Sequence, residues 1–169
     1  MTFKRRHFLA GILLSGLVAC GDSKFKSYSG PRVTRIDVYK SSRQMYLFSG
    51  NKVLKVYPFG LGFAPVGDKE FEGDGKTPEG LYYINRRNPD SRYHLSIGIS
   101  YPDIQDVAEA QAKGLQVGSD IFIHGQGPEG RVLSQRKRDW TVGCIAVTDE
   151  QAEEIYAMVE DGTPIRILP

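Results

Sequence analysis

The chain has 169 residues, of which 40% are hydrophobic and 25% are charged, and its formal net charge is +2. This length and composition are typical of one globular domain. The nearly balanced charge argues against a nucleic-acid-binding protein, which would normally carry a strongly basic surface. Residues 1–19 hold three of the 22 basic residues and no acidic one, which leaves 19 basic and 20 acidic residues in the rest of the chain.

The N-terminal sequence MTFKRRHFLAGILLSGLVAC begins with basic residues and continues with an apolar segment that ends in Ala19. This layout predicts a secretory signal peptide over residues 1–19, because the apolar run is shorter than the ~20 residues that a membrane-spanning helix needs. A retained membrane anchor is the alternative. The ending LVAC resembles a bacterial lipobox, and Arg5-Arg6 resembles a twin-arginine export signal, for which an ordinary signal is the alternative. We therefore expect export to the bacterial periplasm or cell envelope and a lipid anchor on Cys20.

Residues 20–32, CGDSKFKSYSGPR, are small and polar without a repeating apolar period, which predicts a flexible tether. The globular domain then covers residues 33–169. Short β-branched and aromatic runs follow, and the Ser-Gly-Asn turn at 49–51 predicts a hairpin. The predicted strands are VTRIDVYK, RQMYLFS, NKVLKVYPFGLG, LYYIN, YHLSIGI, IFIHG, CIAVT and TPIRIL.

Two segments are typical of helices. Residues 103–114 contain helix formers and end at a glycine. Residues 148–162 begin with Thr148 and have Gln151 three positions later, which is the spacing of a capping box. The sequence therefore predicts a mainly β domain with one or two packed helices, and a polar loop between the strands IFIHG and CIAVT.

Cys144 and His124 are the residues that could carry chemistry. If Cys20 is acylated, Cys144 is the only thiol left, and it is either buried and inert or kept for reactivity. Each residue lies at the boundary of a short apolar strand, and an imidazole beside a thiol can generate the nucleophilic thiolate. Gly143 would leave room for a substrate, and the amides around Gly143 and Cys144 could stabilise an oxyanion. The carbonyl of Gly125 could accept a hydrogen bond from the second imidazole nitrogen.

Other interpretations of these residues stay open. His124 could be a hydrogen-bonded core histidine, and Cys144 a structural thiol. His94, His124 and Cys144 are also zinc-type ligands, but the sequence has no close ligand pair such as C-x-x-C, so we expect no metal.

The predicted loop between the two strands carries several basic residues, which could attract carboxylates or simply be solvated. They are Arg131, Arg136, Lys137 and Arg138. Trp140 could form a pocket wall beside the nucleophile or pack under the loop. We take Arg138 and Trp140 as candidate substrate-binding residues.

Three segments resemble the L,D-transpeptidase family, which has a YkuD-type catalytic domain. The first is His124-Gly125 followed after a spacer by Thr-Val-Gly-Cys at 141–144, because the family signature is His, a spacer of mid-teens length and Ser/Thr-x-Gly-Cys. The others are GDGKTPEGLYYI at 73–84 and YHLSIGISYPD at 93–103. The resemblance covers roughly residues 33–169.

The resemblance implies a β-sandwich-like fold and chemistry on peptidoglycan stem peptides. Cys144 would attack the carbonyl of the third residue, typically diaminopimelate, and expel D-alanine; an amine of a neighbouring stem or water would then resolve the thioester. His124 matches the base, Gly125 the residue whose carbonyl orients it, Thr141 the hydroxyl position and Gly143 the turn. We expect a monomer that needs no cofactor, and the resemblance implies that carbapenems acylate Cys144.

The sequence departs from the common family pattern at two positions. Val142 and Ala146 stand where many members have His and Arg. The resulting Gly-Cys-x-Ala pattern resembles a branch that includes hydrolases, so an L,D-carboxypeptidase or an enzyme that releases wall-attached protein is an alternative. A catalytically silent peptidoglycan-binding module is another. A sortase would need an arginine shortly after the cysteine strand, and the first one is Arg166.

Overall fold

The computed structural model describes residues 23–169. The predicted signal peptide and the predicted lipidation site Cys20 lie outside this range. The described chain forms eight strands and three helices. In chain order they are β1 Arg35–Tyr39, β2 Gln44–Ser49, β3 Lys52–Pro58, β4 Gly80–Asn88, β5 Ser96–Ile99, α1 Ile104–Ala112, β6 Phe122–His124, α2 Gly127–Arg136, β7 Ile145–Ala146, α3 Asp149–Met158 and β8 Pro164–Leu168.

The strands form one sheet in the order β3-β2-β1-β8-β4-β5-β6-β7. The pairs β1–β8 and β6–β7 are parallel, and the other neighbours are antiparallel. Strand β4 is the corner, because Gly80–Tyr83 pair with β8 whereas the residues from Ile84 onward pair with β5, with a register shift between Ile84 and Arg86. A bulge of this kind bends a strand, so the sheet curls there. The predicted β-rich fold is confirmed.

Helix α3 packs on the half of the sheet that carries β5 and β6. It begins as the sequence predicts, because Thr148 accepts a hydrogen bond from the Gln151 amide and the Gln151 side chain accepts one from the Thr148 amide. Ala152 and Ile155 are buried in the core, where apolar side chains removed from water stabilise the fold. This packing places the start of α3 beside the end of β6.

The segment predicted as a polar loop contains helix α2, Gly127–Arg136. Pro128 in the first turn and Glu129 beside it suit a helix start, and Arg136 suits a helix end. The sequence hides this helix because Gly127 and Gly130 are poor helix formers and no apolar stripe is present. Packing explains the glycine at position 130, because a Cβ there would lie 2.7 Å from the Trp140 ring.

Residues 23–32 have no helix or strand, as a tether would, but they contact α3. The Phe25 ring lies 6.3 Å from the Tyr156 ring, and Lys26 Nζ lies 3.1 Å from a Glu153 oxygen. The predicted tether therefore contacts α3 over part of its length, and its flexibility stays a prediction. Within residues 23–169 no helix combines the length and apolar character needed to cross a membrane.

Candidate active site

The strand ends that carry His124 and Cys144 are neighbours in the sheet. Strands β6 and β7 run parallel, with His124 opposite Ala146. Cys144 precedes β7 and therefore lies beside Phe122, two positions before His124 on the partner strand. Side chains two positions apart point to the same face of a sheet. His124 and Cys144 accordingly line one cavity of about 570 Å³.

The His124 imidazole is buried, with 2% of its surface exposed. Its Nδ1 lies 2.5 Å from the carbonyl oxygen of Gly125, and because a carbonyl only accepts, Nδ1 carries the proton. The other nitrogen, Nε2, is buried without a hydrogen-bond partner and so presents a free lone pair. Burial lowers the pKa of His124 to about 4, although the Gly125 bond and the charge of Asp149 oppose that shift. The imidazole is therefore neutral at pH 7.

Two aromatic rings hold the imidazole. Tyr93 stacks on His124 with ring centroids 4.5 Å apart and an interplanar angle of 23°, and Trp140 meets it edge-on at 5.7 Å and 70°. The sequence places Tyr93 at the start of a strand but does not single it out, because its partner is distant in the chain. The only feature of the sequence that indicates a role for Tyr93 is its position in YHLSIGISYPD, one of the segments that resemble the L,D-transpeptidase family.

Asp149 fixes the chain that follows the histidine. One carboxylate oxygen accepts hydrogen bonds from the amides of Gln126 at 2.7 Å and Gly127 at 2.8 Å. The other accepts one from Arg131 at 2.9 Å. Burial disfavours the charged form, but these hydrogen bonds outweigh it and hold the pKa of Asp149 below its usual value. A Cβ on Gly125 would lie 2.6 Å from this carboxylate, so Asp149 and Gly125 fit together closely. No pattern in the sequence singles out Asp149.

The Cys144 thiol is partly exposed at the cavity and donates to the carbonyl oxygen of Asp120 at 3.5 Å. Desolvation raises the pKa of Cys144 to about 11, against the effect of a hydrogen bond from the Phe122 backbone. Since the His124 Nε2 has no partner, the thiol and the imidazole are not hydrogen-bonded to each other at rest. Both groups are neutral in this state.

The turn before Cys144 is held by two buried threonines. Gly143 has a φ of 141°, and a Cβ there would lie 2.8 Å from the Lys76 carbonyl oxygen. Thr141 donates to the Cys144 carbonyl at 2.7 Å and accepts from the Gly143 amide at 3.1 Å. Thr77 donates to the Gly143 carbonyl at 2.8 Å. The Gly143 amide is thus bonded to the Thr141 hydroxyl at rest, and the oxyanion role expected of the amides around Gly143 and Cys144 stays a prediction.

The sequence model of the L,D-transpeptidase catalytic domain, YkuD, matches residues 33–167. The chain belongs to this family. It is 33% identical over 127 residues to the "Putative L,D-transpeptidase YafK" of Escherichia coli (strain K12), a match that covers 73% of this chain and 42% of YafK. The chain therefore spans less than half the length of that relative.

Solved structures agree with this family assignment. The helical cell shape determining protein Pgp2 from Campylobacter jejuni superposes with a TM-score of 0.61 at 27% identity, over 87% of this chain and 51% of Pgp2. An L,D-transpeptidase from Mycobacterium smegmatis superposes with a TM-score of 0.54 at 18% identity, over 83% of this chain and 60% of that protein. The second similarity shows the shared fold only.

In this L,D-transpeptidase domain the thiol lies between two clefts. A second cleft of about 230 Å³ is lined by Cys144, Lys69, Val142 and other residues, and Asp120 borders both clefts. Lys69 is buried and its Nζ lies 2.8 Å from Asp74, so the wall of the second cleft is fixed by an ion pair. Two separate approaches to one nucleophile are thus present.

Two predicted substrate-binding residues do not reach the Cys144 cavity. Trp140 lies behind the imidazole, and the Arg138 Nε donates to the Phe59 carbonyl at 3.2 Å. Both line a different pocket of about 250 Å³. His94 does not join His124 in a metal site, because the His94 Nε2 is instead 2.7 Å from a Glu153 oxygen. Among residues 23–169 no group of three His, Cys, Asp or Glu side chains is arranged to hold a metal ion.

Proposed function

We propose that the protein is a peptidoglycan L,D-transpeptidase that acts by cysteine acyl transfer on the diaminopimelate–D-alanine bond of stem peptides during cell-wall remodelling. One observation carries the proposal: a neutral His124 whose Nε2 has no hydrogen-bond partner and Cys144 line the same cavity. Nucleophilic catalysis requires a base with a free lone pair at the site where the thiol is exposed.

The pKa directions favour proton transfer during attack over a preformed ion pair. With the pKa of Cys144 raised to about 11 and that of His124 lowered to about 4, thiolate and imidazolium are scarce at rest. The thiol proton therefore moves to Nε2 of His124 as the bond from sulfur to the substrate carbonyl forms. The resulting imidazolium then protonates the amine of D-alanine, which leaves as the carbon–nitrogen bond breaks and a thioester remains.

The second cleft supports transfer as the resolving step. An acceptor amine that enters beside Lys69 and Val142 can reach the thioester while the donor stem occupies the larger cavity. His124 takes a proton from the attacking amine and returns it to the departing sulfur, which restores both neutral groups. If water takes the place of the amine, the same chemistry gives an L,D-carboxypeptidase.

We also propose that the protein is exported and anchored to a membrane through Cys20. Only a few residues separate Cys20 from the segment that contacts α3, and an extended chain covers at most ~3.6 Å per residue. A lipid on Cys20 would therefore hold the domain close to the membrane surface, where it would act as a monomer. The similarity to Pgp2, which is named for helical cell shape, supports a role in cell shape.

The proposal is tested by incubating the purified protein with a stem tetrapeptide that ends in D-alanine and analysing the products by mass spectrometry. A cross-linked dimer is expected, and the Cys144→Ala protein should form none. A shortened monomer without dimer would identify a hydrolase instead. Absence of any product, together with no adduct on exposure to a carbapenem, would identify a silent binding module.

A further inference from the structure

The pocket that Arg138 and Trp140 line is separate from the Cys144 cavity and from the second cleft. It lies between the end of β3, helix α2 and the start of α3, and it has a volume of about 250 Å³. Neither His124 nor Cys144 lines it. This volume is slightly below that of typical pockets for drug-sized ligands, so it suits a single residue or the end of a peptide.

This pocket offers hydrogen-bond donors and contains no carboxylate. Arg138, Gln126 and Gln151 line it, together with the hydroxyl residues Ser134 and Thr148. The Gln151 side-chain oxygen already accepts from the Thr148 amide at 3.0 Å, which leaves the side-chain nitrogen as the group free to donate. The hydrogen bond from Arg138 Nε to the Phe59 carbonyl holds the guanidinium at the rim while leaving its two terminal nitrogens for a ligand.

The cations around the pocket are attracted by Asp139 but form no direct ion pair within residues 23–169. Arg136, Lys137 and Arg138 follow one another at the end of α2, all three are exposed, and within residues 23–169 none of them forms an ion pair. In contrast, Arg131 on the same helix is paired with Asp149. A guanidinium with free terminal nitrogens binds a carboxylate through two parallel hydrogen bonds. The Trp140 ring adds an apolar wall for an aliphatic side chain.

We propose that this pocket, which we call the Trp140 pocket, binds the terminal carboxylate of a short peptide with a small aliphatic last residue. The carboxylate pairs with Arg138 and accepts from the Gln151 amide, and the aliphatic side chain packs on Trp140. The site is distinct from the reacting groups. Binding at this pocket requires no turnover, so a binding measurement is independent of whether the proposed reaction occurs.

Trp140 makes the site measurable, because it is the only tryptophan in the chain. The Cys144→Ala protein, which cannot consume the ligand, is titrated with N-acetyl-D-alanyl-D-alanine while tryptophan fluorescence is recorded. We expect a saturable change with the peptide acid and none with its C-terminal amide, since the amide lacks the charge that Arg138 recognises. Adding Arg138→Gln should weaken binding at least about tenfold, because charge-assisted bidentate bonds are the strong ones.

Arg136→Gln is the matched control, because Arg136 is an exposed cation nearby that does not line the pocket. In the Cys144→Ala protein it should leave the fluorescence titration within about twofold. Equal weakening by both substitutions, or equal responses to the acid and the amide, would overturn the proposal. Inorganic phosphate is the third ligand: Arg138-dependent binding of phosphate that is tighter than that of the peptide acid would show a general anion site and likewise overturn the peptide assignment.

Discussion

The base and the nucleophile of the proposed reaction are held in opposite ways. His124 is buried, hydrogen-bonded to the next residue's carbonyl and held between Tyr93 and Trp140. Cys144 is partly exposed between two clefts, and its thiol makes one long hydrogen bond to the Asp120 carbonyl and accepts one from the Phe122 backbone. The base is thus pre-oriented, whereas the sulfur is free to turn toward an incoming carbonyl.

This difference has an energetic consequence. Orienting a catalytic group before the substrate arrives lowers the entropic cost of the reaction. The fold supports the base with a cluster of buried polar contacts around Asp149, and it supports the sulfur only through the backbone of its turn. Changes on the histidine side should therefore lower folding stability, whereas removal of the thiol should lower reactivity alone.

The largest expected effect on stability is that of Asp149→Ala. It leaves the amides of Gln126 and Gly127 without their acceptor, and each unsatisfied buried donor costs about 1–3 kcal/mol. We expect the free energy of unfolding in urea to fall by about 3–4 kcal/mol. Arg131→Gln removes only the half-exposed partner of Asp149 and should cost less than about 1 kcal/mol. Equal losses in the two variants would show that the carboxylate acts only through the ion pair.

The next effect is a pH dependence caused by His124. Because burial lowers its pKa from 6.5 to about 4, the unfolded chain binds a proton between these values that the folded chain excludes. The free energy of unfolding should therefore fall as the pH drops through 6.5, by up to about 3 kcal/mol near pH 4, and be nearly constant above about pH 7.5. The measurement is urea unfolding at pH 7.5 and 5.0 in the wild type and in His124→Gln. Between those two pH values the wild type should lose about 2 kcal/mol more than the variant, and parallel losses would contradict the account.

Gly143→Ala should have a smaller effect on stability but should also slow acylation of Cys144. A Cβ at this position would lie 2.8 Å from the Lys76 carbonyl, at a φ that side chains rarely adopt. We expect a loss of about 2 kcal/mol. Gly50→Ala is the control for backbone strain alone, since Gly50 has a φ of 57° and nothing within 4 Å of its Cβ position; it should cost about 1 kcal/mol and leave acylation unchanged.

Cys144→Ala should have the smallest effect on stability. The side chain is partly exposed, and its sulfur makes only weak contacts, the 3.5 Å contact with the Asp120 carbonyl and a hydrogen bond from the Phe122 backbone. The free energy of unfolding should change by less than about 1 kcal/mol, while the covalent adduct with a carbapenem should disappear completely. A loss as large as that of Asp149→Ala would show that the thiol is a structural residue.

The sequence predicts the parts of the site that depend on local pattern. Alternation of apolar residues located the strands and placed His124 and Cys144 at strand boundaries, and the parallel β6–β7 pairing brings the two residues to one cavity. The contributions of Tyr93 and Asp149 could not be predicted, because they depend on contacts between residues far apart in the chain. Helix α2 was not predicted because it contains two glycines, which are poor helix formers. Close contacts with residues elsewhere in the chain leave no room for a side chain at either position.

The most direct test is the rate at which a carbapenem acylates Cys144, followed by intact mass at pH 7 in the wild type and in His124→Gln. The account predicts one adduct per chain in the wild type, and a rate at least about 100-fold lower in the variant, because general-base catalysis typically contributes that much or more. Urea unfolding of both proteins verifies that each is folded under these conditions. A variant that is folded and reacts as fast as the wild type would contradict the assignment of His124 as the base for Cys144.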